Sequence, residues 1–257
     1  MKYSIKHLIL LMLALVFTLP IVILFLLSFS QKWVFPKLLP EKLTLENWII
    51  ILGDGHVISN SFVISLSIAL FVAASATILG FILSRYIAYH PKRRLLTFLT
   101  YFPFALSPVI FAICLKYYFI KLGLIGNLYG IVLAQLIIAL PYSIIFFLSF
   151  WNQKVLDYQN LVYTLGGKQK QAFLYITLPL AKSFLIICFF QCFLISWFEY
   201  GLTSIIGYGK ISTLTIHVFQ FINEANIFYA ALSCCLLILP PVILLWFNKR
   251  FIIQQKG

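Results

Sequence analysis

Long uncharged apolar runs, separated by short charged clusters, constrain this chain more than any other feature. Five windows carry no Asp, Glu, Lys or Arg: 8–29, 59–84, 95–115, 128–150 and 225–247. A sixth, 183–206, holds the single carboxylate of Glu199. A helix rises about 1.5 Å per residue, so about 20 apolar residues cross a hydrocarbon core about 30 Å thick. Every window is long enough. Continuous apolarity, rather than alternation, excludes barrel strands. The expected fold is therefore all-α: a polytopic membrane protein of six transmembrane helices, forming one domain over residues 1–257. No polar stretch is long enough to fold as a soluble domain, and only 10% of residues are charged, against about 25% in soluble domains.

The net charge of +13 would point to nucleic acid in a soluble chain. Here the basic residues sit between apolar runs, the pattern of a membrane surface, and no nucleic-acid partner is expected. Their distribution also orients the chain, because Lys and Arg resist translocation. Lys2 and Lys6, Arg85 and Lys92–Arg94, Lys154, Lys168, Lys170 and Lys182, and Lys249, Arg250 and Lys256 fall on one side. That side holds thirteen of the nineteen, and the other holds Lys32, Lys37, Lys42, Lys116, Lys121 and Lys210. Five of the six acids, all but Asp157, lie on or toward the second side. Both termini are expected in the cytoplasm. The first apolar run follows a basic amino end like a signal peptide, but it is 22 residues long with no small-x-small site after Phe29, so it reads as a retained span.

Catalytic and metal chemistry find little support. His7, His56, His90 and His217 stand apart, with no His-Glu-x-x-His and no acid at catalytic spacing, which argues against a membrane-embedded enzyme. Cys114, Cys188, Cys192, Cys234 and Cys235 all fall inside spans without a Cys-x-x-Cys, and read as small apolar filler rather than metal ligands. Prolines inside the spans (Pro20, Pro103, Pro108, Pro141, Pro240 and Pro241) free carbonyls that neighbouring helices must satisfy.

The segment 151–182 is the longest loop on the cytoplasmic side, and the one with amphipathic helical character. Residues 157–165 can form a short helix with Asp157 near its positive amino end. Gly166–Gly167 stops it, since glycine takes positive φ cheaply. A second short helix is predicted from about Gln169 to Leu178, ended by Pro179. The pair presents Leu161, Val162, Leu165, Phe173 and Ile176 between basic residues. By residue type alone this fits a protein partner or a lipid surface equally well.

The spacing of this loop resembles a known signature. Gly166, nine residues, then Ile176-Thr177-Leu178-Pro179 is similar to the loop E-A-A-x-x-x-G-x9-I-x-L-P of permease subunits in type I ABC importers, the MetI-like ABC permease fold. The family's Glu-Ala-Ala falls on Asn160, Leu161 and Val162, and Asp157 lies one turn earlier. Pro20, Leu140-Pro141-Tyr142 and the run Ser196–Thr203 before a Gly-x-Gly are further points of likeness. The stretch Ser30–Pro36 is similar to permeases of the polyamine, thiamine and ferric-iron group.

The resemblance implies a bacterial inner-membrane permease subunit. It implies a second permease subunit, identical or homologous, a cytoplasmic ABC ATPase dimer docked on the 157–179 loop, and an extracytoplasmic substrate-binding protein. It also implies the ATPase contact residues: Asp157, Asn160, Leu161, Val162, Leu165, Gly166, Phe173, Ile176, Leu178 and Pro179. The chain has no Gly-x-x-x-x-Gly-Lys-Ser/Thr loop, so ATP and Mg are expected on the partner ATPase and no cofactor on this chain. A secondary transporter or channel subunit is the alternative; such proteins usually bury several ionisable groups, and only Glu199 approaches the interior here. Glu199 with Ser196, Tyr200 and Thr203 is the candidate solute contact, and a small cation such as a polyamine or thiamine would suit it. The other reading of Glu199 is a carboxylate near the external boundary, snorkelling or pairing with Lys210.

Opposite sidedness is the direct test of the topology. A reporter fused after Gly257 should lie in the cytoplasm and one inserted at Gly209 outside, by alkaline phosphatase and fluorescent-protein activity; the same side for both overturns the six-span reading.

Overall fold

The computed structural model describes residues 2–33, 40, 42–53 and 57–253. Phe35, Pro36, Lys37, Glu41, Asp54, His56 and Lys256 lie outside the described residues. The elements run α1 (Lys2–Ser28), β1 (Ser30–Lys32), β2 (Lys42–Leu43), α2 (Glu46–Gly53), α3 (Val57–Ala88), α4 (Arg93–Tyr101), α5 (Pro108–Lys121) and α6 (Leu128–Leu148). They continue with α7 (Gln153–Thr164), α8 (Gln169–Ala172), a π turn over Phe173–Thr177, α9 (Leu178–Trp197), α10 (Gly201–Gly207), α11 (Leu214–Asn223) and α12 (Ile227–Ile253). The all-α membrane expectation stands. Five helices are long and apolar enough to cross a bilayer, or six when the bent pair α4–α5 counts as one span.

The chain divides into two compact units. The first comprises Met1–Val63 and Thr213–Pro240. In it, β1 and β2 pair antiparallel with Ser30 opposite Leu43, and Asn47 of α2 donates to the Ser30 carbonyl at 2.8 Å. Along residues 9–27 of α1 no described side chain is buried, and Ser28 at its end is fully buried. Helix α11 buries Leu214, Thr215, His217 and Val218 along one side while Phe219 and Ile222 stay exposed, as an i, i+3, i+4 stripe requires. His217 Nε2 lies 2.9 Å from Ser61 Oγ, and its ring stacks on Phe221. Burial holds the His217 imidazole below its ordinary range.

The second unit comprises Ile64–Ser212 and Pro241–Gly257. Ala69, Ala73 and Ala76 on α3 and Ala134 and Ala139 on α6 are fully buried, as close helix approach in a membrane demands. Beyond them the rings of Phe81, Phe147, Phe150 and Trp151 form a cluster, with Phe81–Trp151 centroids 4.9 Å apart. Trp151 Nε1 donates to the buried Ser84 Oγ at 2.8 Å, and the Arg85 guanidinium sits 5.7 Å from the Trp151 ring centroid. The start of the 151–182 loop is thereby anchored to the end of α3.

Two predicted spans differ from expectation. The window 95–115 is not one straight helix: α4 leads into a 3-10 turn over Phe102–Ala105, and α5 leaves at 98°. Leu106 and Ser107 are extended, with ψ of 146° and 141°. Pro103 and Pro108 account for the break, because each lacks an N–H and Pro108 holds the preceding Ser107 out of the helical region, while Phe102 before Pro103 stays helical. The window 183–206 also divides, since α9 ends at Trp197 and α10 is a separate short helix.

His217 makes stability pH-dependent with a defined sign. Its folded pKa lies below the ordinary value of about 6.5, so below that pH the unfolded chain binds a proton the folded chain does not. Stability should fall as pH drops from about 6.5. Thermal unfolding in detergent at pH 7.5 and 5.5 should show this loss in wild type and less of it in His217→Gln.

Candidate functional site

The 151–182 loop builds a rigid corner. Asn152 caps α7, its Oδ1 accepting from the Val155 N–H at 3.2 Å. At the other end Gly166 takes φ +78°. The Gly167 N–H donates to the Val162 carbonyl at 2.8 Å and the Gly166 N–H to the Tyr163 carbonyl at 3.0 Å. Those two bonds and the left-handed residue define a Schellman turn. The two glycines are needed for different reasons. A Cβ on Gly166 would meet open space, so only its backbone conformation is at stake. A Cβ on Gly167 would lie 2.4 Å from Val162 Cγ1 and 2.8 Å from the Val162 carbonyl oxygen.

The second short helix does not stop at Pro179. Helix α8, the π turn and α9 form one helical run over Gln169–Trp197. The extra residue of the π turn, where the Leu178 N–H donates to the Phe173 carbonyl, restarts the ladder so that Pro179 sits in the first turn of α9, where a missing N–H costs nothing. The segment 169–178 and the span are one rod.

What holds α7 to that rod was not read from the sequence. Gln159 and Thr177, 3% and 0% exposed, meet with Gln159 Nε2 donating to Thr177 Oγ1 at 2.7 Å. Gln159 is a polar residue on the inner side of an amphipathic helix, and that placement is the signal that could have found it. The predicted contact residues divide by exposure. Asp157, Asn160, Leu161, Leu165, Leu178 and Pro179 are exposed, while Val162, Phe173 and Ile176 are half-buried. The half-buried ones serve first to pack the corner. Leu165 is 81% exposed, with Leu161 and Tyr158 beside it at 59% and 52%, an apolar strip at helical spacing. Asp157 accepts from Gln153 Nε2 at 3.0 Å.

At the other end of α9 lies a polar network. Glu199 Oε1 accepts from the Leu202 N–H at 2.7 Å; Oε2 accepts from the Thr203 N–H at 2.9 Å and the Thr203 hydroxyl at 2.8 Å. The carboxylate therefore caps the amino end of α10, satisfying donors that the break after α9 leaves without helical acceptors. Thr203 Oγ1 in turn accepts from Gln135 Nε2 at 2.9 Å, and Ser196 Oγ donates to Gln135 Oε1. Ser196, Thr203 and Gln135 are all buried. The structure thus brings together three of the four predicted residues. Tyr200 is at the surface and exposed. Gln135, the residue that joins them, was missed, although a lone glutamine inside a 21-residue apolar helix is expensive without partners. Among the described residues no cluster of three or more His, Cys, Asp or Glu is placed to hold a metal.

The chain belongs to the binding-protein-dependent transport system inner membrane component family, whose model matches residues 76–253. It is thus a multi-pass inner-membrane permease subunit of an ABC importer, a family that works in general with an ATPase and a substrate-binding protein. The inner membrane ABC transporter permease protein YcjP of Escherichia coli (strain K12) is 25% identical over 226 residues, covering 84% of this chain and 80% of that protein. In fold, the chain is similar to a bacterial ABC transporter involved in the import of the acidic polysaccharide alginate. The TM-score is 0.67 at 18% sequence identity, over 99% of this chain and 96% of that chain.

The two glycines should respond unequally to substitution. Gly166→Ala carries only the left-handed backbone cost, about 1 kcal/mol. Gly167→Ala adds a collision with Val162 and should open the turn. Transport with normal membrane abundance should be lowered modestly in the first and abolished in the second; wild-type transport in Gly167→Ala would mean the turn is not required.

Proposed function

We propose that this subunit pairs with a second permease, identical or homologous, to enclose a solute pathway, with both termini in the cytoplasm. A cytoplasmic ATPase dimer binds the corner of α7 and α8, and an extracytoplasmic binding protein delivers the solute. ATP and Mg are held by the ATPase. The observation that supports this most is the rigid corner: a Schellman turn and the buried Gln159–Thr177 bond fasten α7 to a rod that runs unbroken to Trp197.

Such a corner transmits displacement with little loss. An ATPase closing on Leu161 and Leu165 moves α7, and the Gln159 bond carries the movement to α8 and α9. At the far end of the rod, Ser196 pulls on Gln135 and Thr203, and thereby on α10. Rotation of a packed rod switches between discrete arrangements rather than bending. Breaking the Gln159 bond leaves a buried polar group without its partner, at about 1–3 kcal/mol. In reconstituted complex, Gln159→Leu should therefore uncouple ATP hydrolysis from uptake while leaving ATPase bound on gel filtration. Coupled transport at wild-type rate would overturn the rod as the mechanical link.

For the solute, Glu199 is the ground for a small cation such as a polyamine or thiamine, the cargo of the subgroup that Ser30–Pro36 resembles. A cation at this carboxylate has to compete with the Leu202 and Thr203 donors. Glu199→Gln separates the two roles, since the amide still accepts but carries no charge. A capping role predicts assembly and apparent solute affinity near wild type, with stability lower by about 1 kcal/mol. A cation contact predicts apparent affinity lower by about tenfold or more with assembly intact, as loss of a charged hydrogen bond would cause.

A further inference from the structure

We infer that the end of the second unit opposite the 151–182 corner is a docking surface for an acidic face of the binding protein, built from Lys116, Lys121 and Lys210 around Tyr208. This rests on the importer reading above and adds to it the residues and the charge of the partner's surface. The placement follows from α6, which starts at Leu128 at this end and finishes at Leu148 beside the corner. The turn between α5 and α6 and the turn after α10 lie together here, joined by the Gly126 N–H donating to the Ile206 carbonyl at 2.8 Å.

Charge is the first observation. The segment Ile64–Ser212 contains two acids, Asp157 and Glu199. Asp157 belongs to α7, at the opposite end. Glu199 is turned into the amino end of α10, where three donors bind it. Within this unit three lysines therefore share this end with one carboxylate, and that one is directed inward; the other acids read on this side, Glu46 and Glu224 among the described residues, belong to the first unit.

Backbone strain is the second observation, and it is independent of the first. Tyr208 has φ 49° and ψ 40°, the left-handed region, which is an outlier for a bulky residue. Tyr208 is 63% exposed, so the strain is not offset by burial. Strain of this kind collects at ligand clamps. Here it places the ring beneath a cation, with Lys116 Nζ 5.2 Å from the centroid. Lys121 Nζ likewise lies 4.7 Å from the exposed Tyr117 ring. The Lys210 stem packs against Gly126, where a Cβ would come within 2.8 Å of Lys210 Cδ. Cations held against rings and a packed stem lose less freedom on binding than free lysines do. Exposed tyrosines interleaved with such cations supply contact area at low entropy cost. The surface suits a carboxylate-rich protein face, with long-range attraction setting the rate of encounter.

The test uses the assembled complex in nanodiscs, with the binding protein that co-purifies with it from native membranes as the probe. Association and dissociation rates are read at about 50 mM and about 300 mM salt, where screening differs strongly. The double variant Lys121→Glu with Lys210→Glu should slow association about tenfold or more at low salt and flatten its salt dependence, with dissociation changed much less. Lys121→Arg with Lys210→Arg should associate at the wild-type rate, which shows that charge and not misfolding is responsible. Tyr208→Gly should associate normally and dissociate faster. A charge-reversed complex that associates at the wild-type rate overturns the surface while the importer reading stands. Failure of wild type to bind the probe at all overturns that reading, and the surface with it. A third outcome also overturns it: association unchanged, but thermal stabilisation by phosphatidylglycerol over phosphatidylcholine nanodiscs lost in the charge-reversed complex, which would make this a lipid headgroup site.

Discussion

Inside a bilayer no water is available to satisfy a backbone N–H or C=O, and the structure follows from how each interruption of a helix meets that demand. Most of the chain meets it by not interrupting. Where a spanning run does stop, a specific group takes over: the Glu199 carboxylate accepts from the first donors of α10; outside the spans, the Asn152 side chain and the Gly166–Gly167 turn close the two ends of α7 in the same way. The residues that end helices here are thus the same residues that build the candidate sites.

Continuity carries as much meaning as interruption. A proline after a short helix ordinarily marks a stop, yet Pro179 is absorbed by the π turn over Phe173–Thr177, and the segment 169–178 becomes the start of a span. By contrast, Pro103 sits in a 3-10 turn and Pro108 follows the extended pair Leu106–Ser107, and the chain bends by 98°. One proline in a first turn removes nothing. Two around an extended dipeptide remove the ladder itself.

Buried side-chain amides do the joining. Gln159 ties the corner to the rod and Gln135 ties the far end of the rod to α10. Each accepts or donates to a hydroxyl on a neighbouring element, and each is almost fully buried. In a low-dielectric setting such bonds are costly to leave unmade, which makes them suitable for keeping packed helices in register.

The sequence by itself determined the fold class, the spans at 8–29, 59–84, 128–150 and 225–247, and the glycine turn at Gly166. Each follows from a local quantity: twenty apolar residues match the thickness of a hydrocarbon core, and a residue without Cβ takes positive φ. It also carried the spacing from Gly166 to Pro179 that pointed to the family. Tertiary structure alone decided the rest. The split of 95–115, the passage of the helix through Pro179, the partner of Gln159 and the inward turn of Glu199 depend on which neighbour supplies a donor, an acceptor or space. Local propensity cannot state that, because the groups that meet are 18 residues apart at Gln159–Thr177 and 68 apart at Gln135–Thr203.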